Sequence, residues 1–167
     1  MIKAFLAAIG IFLLGSLGAA LFVESGFYNI GADDHHTKAA LALITQLRDR
    51  STEARLGDIK PQLAATPAMI KTGAEQYAAL CVGCHLAPGP FKSDLRTGLY
   101  PHPPNLAQED MQESRRAFWV IKHGIKMSAM PAWGKTLEDA EIWDVVAFVR
   151  KMPNMTPQDY EQLSQRP

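Results

Sequence analysis

Two thiols and an imidazole lie within five residues, Cys81-Val82-Gly83-Cys84-His85. Thiols three positions apart can reach the two vinyl groups of one porphyrin and form thioethers. A histidine directly after the second thiol is then placed over the iron. Cys-x-x-Cys-His is the spacing of c-type haem attachment. Two other uses of such a pair have to be weighed. A structural zinc site wants four ligands, often as two such pairs, and the chain has only two cysteines. A redox dithiol sits at a strand-to-helix junction in an α/β pattern, whereas Ala74-Glu-Gln-Tyr-Ala-Ala-Leu80 is rich in helix formers. Cys81 and Cys84 are therefore assigned to covalent attachment of one haem c, and His85 to one axial position of its iron.

The other axial position takes a His nitrogen or a Met sulfur, or stays open. The loop Lys126-Met-Ser-Ala-Met-Pro-Ala-Trp-Gly134 offers Met127 and Met130. Met130 is the better candidate, because Pro131 fixes φ behind it and stiffens the presentation of the sulfur. A thioether ligand favours the ferrous state and raises the potential. The competing role for Met130 is gap-filling in a core; Met127 is expected to pack. His102 and His123 could serve a bis-His haem but lie outside such a loop, and His123 suits a helix end. His35 and His36 lie in a polar stretch and are not read as a metal site.

These residues need a scaffold. The chain has 167 residues, 17 basic and 17 acidic, and no formal net charge. One domain with extensions is the expectation, and the basic surface that nucleic acid normally requires is missing. Lys3 is followed by an uncharged run from Ala4 to Val23, long enough to cross a hydrocarbon core. A cleaved signal peptide competes, since Gly18-Ala19-Ala20 supplies small residues. Apolar sequence continues through Leu21-Phe22-Val23, so a retained anchor over 1–23 is favoured. Lys3 inside and Glu24, Asp33 and Asp34 outside imply an N-in, C-out orientation. Either reading exports the remainder, in keeping with haem attachment outside the bacterial inner membrane.

Residues 24–70 read as a linker with one helix. Thr37 to Leu56 is expected to be helical, capped by Thr37, with Ala40, Leu43, Ile44 and Leu47 at helical spacing and a solvated face around Arg48, Asp49, Arg50, Glu53 and Arg55. Ile59, Leu63 and Pro67 look like a strap. Residues 71–153 read as the haem domain. A helix from Ala74 delivers the motif, another runs from Gln112 to His123 and stops at Gly124, and a last one opens at Thr136-Leu-Glu-Asp139. That last helix carries Ile142, Val145, Val146 and Val149 as a stripe, flanked by Trp143 and Phe148. The tail 154–167 shows a weak helical pattern around Gln158–Leu163.

From Lys71 to Pro153 the chain resembles the class I cytochrome c family. The likeness rests on Gly73 and Tyr77 ahead of the motif, Pro103-Pro104-Asn105-Leu106, Met130-Pro-Ala-Trp133-Gly134, and Val145 with Phe148 on the last helix. The runs Gly98–Leu106 and Phe118–Trp133 are also similar to those of membrane-anchored bacterial members. The resemblance implies an all-α fold around one covalent haem, here preceded by a transmembrane helix and a helical linker. It implies that Gly73 permits close approach of the terminal helices, that Tyr77 fills their crossing with Phe148, and that the Pro104 carbonyl accepts the Nδ1–H of His85. It places Trp133 near the haem edge.

The function so implied is one-electron transfer by a membrane-anchored, His/Met-ligated carrier in the periplasm. Electrons would pass from a quinol-oxidising complex or dehydrogenase to a terminal oxidase or reductase. Lys122, Lys126 and Lys135 are candidates for a positive docking ring, against the alternative of simple solvation. Two alternatives are a cytochrome c subunit of a larger membrane-bound redox complex, which the extra segment 28–70 favours, and a haem peroxidase or sensor.

Overall fold

The computed structural model describes residues 1–62, 64–111 and 113–165, and every regular element among them is helical. The chain forms two compact units, Met1–His35 and a second one starting at His36. In the first unit, α1 (Ile2–Glu24) is a 23-residue helix with no buried residue. At about 1.5 Å rise per residue it exceeds the ~30 Å of a hydrocarbon core. The Ser25 hydroxyl donates to the Phe22 carbonyl at 2.7 Å, and Gly26 turns the chain out of the helix at φ +63°.

The second unit opens with α2 (Lys38–Glu53), capped as expected by Thr37, whose hydroxyl accepts from the Ala40 N–H at 3.2 Å. Its apolar stripe, however, is not buried. Leu43, Ile44 and Leu47 are 68, 49 and 69 % exposed. The helix is seated by the opposite side, through buried Thr52, through Leu56 just beyond its end, and through Asp49, which pairs with Arg116 at 2.5 Å. The face expected to be solvated thus supplies a contact. Ile59 of the strap packs against the core; Leu63 lies outside the described residues.

Helix α3 (Pro67–Leu80) begins seven residues ahead of the expected Ala74, where the Thr66 hydroxyl accepts from the Met69 N–H and Pro67 occupies the first turn. It leads into α4 (Val82–His85), followed by the short α5 (Asp94–Thr97). The next helix, α6 (Ser114–His123), is capped by the Glu113 carboxylate; Gln112, expected to start it, lies outside the described residues. Then comes α7 (Asp139–Lys151). Thr136 does not cap it. Glu138 does, in a reciprocal box with Glu141, whose carboxylate accepts the Glu138 N–H at 2.9 Å. Thr136 is already committed to a 3-10 turn, Trp133–Lys135, through its N–H to the Trp133 carbonyl. The tail carries α8 (Pro157–Ser164), capped by Thr156 and Asp159.

The core is the crossing of α3 and α7. A Cβ on Gly73 would fall 2.0 Å from the Asp144 carbonyl oxygen and 3.0 Å from the Phe148 Cβ, so only glycine allows this approach. Tyr77 and Phe148 fill the crossing with ring centroids 5.3 Å apart, both fully buried with Ala74 and Val145. Helix α6 closes the other side of α7 through Ala117 and Phe118, the latter stacked on Trp143 at 4.4 Å and 19°.

Candidate haem site

Cys81 ends α3 and starts α4. Its N–H donates to the Tyr77 carbonyl at 2.9 Å, and its own carbonyl accepts from Cys84 and His85 at 3.1 and 2.9 Å. The five-residue motif is therefore one helical turn. Positions i, i+3 and i+4 share a side of such a turn, which groups both thiols and the imidazole. Both cysteines are unpaired and half-buried. Burial, and to a lesser degree the neighbouring Cys84, push the Cys81 thiol up to about 12.

His85 is held at both ends. Its Nδ1–H donates to the Pro104 carbonyl at 3.0 Å, since a carbonyl can only accept. Its backbone carbonyl accepts the Leu106 N–H at 3.2 Å. Fixing Nδ1 as the protonated nitrogen leaves Nε2 as the free lone pair, the arrangement a metal-ligating histidine needs. Burial lowers the pKa of His85; the Pro104 bond opposes that shift, and the Arg96 charge adds to it. The residue after the motif, Leu86, takes a left-handed φ of +63°. The buried Tyr77 hydroxyl donates to its carbonyl at 2.7 Å and fixes that turn.

Two supports were not identified from the sequence. Arg96 Nε donates to the Pro103 carbonyl at 3.1 Å, steadying the segment that presents Pro104. Ser93 caps α5 and its hydroxyl also donates to the Gly83 carbonyl, inside the motif. Both roles arise from the chain doubling back, and no local pattern marks them. His102 Nδ1 is within 3.1 Å of the Arg96 carbonyl, and His123 lies against the Trp119 ring at 4.9 Å.

Met130 and Trp133 stand on a separate segment, between α6 and α7. Gly124 ends α6 at φ +63°, and a Cβ there would meet the Met130 carbonyl oxygen at 2.7 Å. The Ile125 N–H donates to that oxygen at 3.1 Å, and the Ser128 hydroxyl accepts the Met130 N–H at 3.1 Å. This closed loop separates the two methionines. Met130 is half-buried, while Met127 is fully exposed at φ +54° and does not pack as expected. Trp133 is half-buried at the start of the 3-10 turn. Lys122 pairs with Asp139 at 2.6 Å and lies over the Phe118 ring, while Lys126 and Lys135 are exposed.

Among the described residues no three His, Cys, Asp or Glu side chains converge as a site for a metal ion. The motif is thus a pair of free thiols beside an imidazole with one nitrogen committed and one available, a donor set that fits a doubly attached haem. Residues 68–149 match the family model described as cytochrome C oxidase, cbb3-type, subunit III. The match starts one residue into α3, ends within α7, and takes in the motif, the Pro104 segment and the Met130 loop.

Proposed function

Since the chain is a class I c-type cytochrome over residues 68–149, a domain that implies covalently bound haem c, we propose that it transfers single electrons through one haem with His85 and Met130 as axial ligands. The haem, when bound, supplies an iron that cycles between ferric and ferrous states. The Cys81 and Cys84 thiols would hold the haem covalently, each as a thioether to one vinyl group. His85 would offer Nε2 to the iron, and Met130 would offer its thioether sulfur. The observation that carries this reading is the Nδ1–H of His85 held by the Pro104 carbonyl at 3.0 Å. It sets the tautomer and the ring orientation before any metal is present. Trp133 shields the edge of the site, and Tyr77 buttresses the turn after the motif.

Helix α1 is long and apolar enough to cross a membrane. It anchors the haem domain in this reading, N-in and C-out, on the periplasmic face of the bacterial inner membrane. Tethering raises the effective concentration of the domain near membrane-bound partners. Donors are a quinol-oxidising complex or dehydrogenase; acceptors are a terminal oxidase or reductase. The name of the matched family, an oxidase subunit, and the ordered α2 favour a second reading that differs in assembly rather than chemistry. In it the chain is the cytochrome c subunit of a larger membrane complex. Purification in mild detergent separates the two, since a subunit co-migrates with other chains and a shuttle does not.

The ligation is tested by Met130→Ala. The near-infrared sulfur-to-iron band of the ferric protein is expected to vanish, the midpoint potential to fall, and the ferrous iron to bind carbon monoxide. Met127→Ala is expected to leave all three unchanged. An unaltered spectrum in Met130→Ala removes the assignment. Carbon monoxide binding by the unmutated ferrous protein would favour a peroxidase or sensor.

A further inference from the structure

Helix α2 is amphipathic in the reverse sense for a docked helix. At about 100° per residue, Thr45, Asp49 and Thr52 share the side turned to the haem domain, and Leu43, Ile44 and Leu47 share the side turned away. Arg50 borders that apolar stripe on one edge; Arg48, on the other, is held in an ion pair with Asp49 at 2.8 Å. A soluble domain gains nothing from showing water such a stripe. The chain also limits where it can be. Only the 13 residues 25–37 separate the end of α1 from the start of α2, so the start of α2 lies no more than about 45 Å from the end of α1 even when that segment is fully extended. Within that segment Phe27, Tyr28 and Ile30 are exposed as well.

We propose that α2 is a membrane-surface helix, its Leu43/Ile44/Leu47 stripe seated in the headgroup boundary of the same phospholipid bilayer that α1 spans. The inference rests on the anchor reading of α1. A bilayer is the one apolar surface that the tether guarantees within reach, and the Arg50 guanidinium at the edge of the stripe suits a lipid phosphate. Through the Asp49–Arg116 pair, a seated α2 holds α6. The helix leads into the Met130 loop, so the domain presents a fixed orientation to its partners instead of swinging on its tether.

The test uses the full-length haem-loaded chain in nanodiscs of mixed anionic and zwitterionic phospholipid containing a diazirine-bearing phospholipid, with cross-linked peptides mapped by mass spectrometry. Labelling is expected on α1 and on the 43–47 stretch, well above that on the solvent-exposed α8. Leu43→Ser/Ile44→Ser/Leu47→Ser is expected to reduce α2 labelling to the α8 level while α1 labelling and the haem spectrum persist. Leu47→Glu alone gives a second readout if the triple variant loses helicity. Label on α1 with α2 no higher than α8 overturns the inference and leaves the anchor standing. Absence of label on α1 overturns both. Lipid labelling of α2 that appears only after a co-purified polypeptide is stripped away makes the stripe a protein-docking face and overturns the lipid assignment.

Discussion

The α-carbon of Gly73 rests against the backbone of Asp144, so closely that a Cβ at Gly73 would stand 2.0 Å from the Asp144 carbonyl oxygen. This approach sets the depth at which α3 and α7 cross and so where α3 delivers Cys81. Gly73→Ala cannot be absorbed by a side-chain rotation, because the obstructing atom is main chain. The loss is expected at or above the upper end of the ~1–3 kcal/mol typical of overpacking. Urea unfolding would measure it; a change below 0.5 kcal/mol, roughly the surface-substitution range, would mean the helices separate freely.

The same crossing leaves the Asp144 carboxyl poorly hydrated. Burial first, and Glu141 second, raise its pKa above the ordinary 3.8. A carboxyl that binds its proton more tightly folded than unfolded takes stability away as pH rises through that window. Asp144→Asn should therefore raise the melting temperature at neutral pH, and the gain should disappear below the unfolded pKa. Melting curves from pH 3 to 7 decide this, and a gain that does not depend on pH would point to another cause.

Tyr77 serves both the crossing and the haem turn. Tyr77→Phe keeps the ring against Phe148 but strips the Leu86 carbonyl of its donor. A buried acceptor left unsatisfied costs ~1–3 kcal/mol; Leu86 is half-buried, so the lower end applies, and the residue that relaxes sits at φ +63° directly after His85. Lower stability together with a shifted haem spectrum is expected. A stability change without any spectral change would confine Tyr77 to packing.

Much of this was legible because it is local. The haem motif, the span of α1 and the α7 stripe each declare themselves within one element. Periodicity correctly gave α2 as amphipathic, but periodicity does not say which face is covered, and the stripe Leu43/Ile44/Leu47 proved exposed. Thr136 and Glu138 both head cap-like patterns, and only the prior use of Thr136 in the 3-10 turn decides between them. The start of α3 does carry a local signal, the cap Thr66 followed by Pro67 in the first turn. The bonds of Arg96 to Pro103 and of Ser93 to Gly83 carry none, because those partners are set by the chain folding back.

Gly124 gives a way to disturb the Met130 loop without touching the sulfur. The residue ends α6 at φ +63° and ψ −169°, an essentially glycine-only conformation that costs a side-chain-bearing residue roughly 1–3 kcal/mol. A Cβ there would also stand 2.7 Å from the Met130 carbonyl oxygen, 2.7 Å from the Pro131 carbonyl carbon and 2.8 Å from the Ala132 nitrogen. All three obstructing atoms are backbone, so the loop must move away from the end of α6. Gly124→Ala is expected to weaken the near-infrared sulfur-to-iron band and let the ferrous iron take carbon monoxide, while far-ultraviolet circular dichroism stays unchanged because the obstructing atoms lie in the loop at residues 130–132 and not in a helix. Loss of helicity along with the band would mean that the loop and the crossing fold as one unit. An intact band at full helicity would mean that Met130 keeps its place without the tight turn at Gly124.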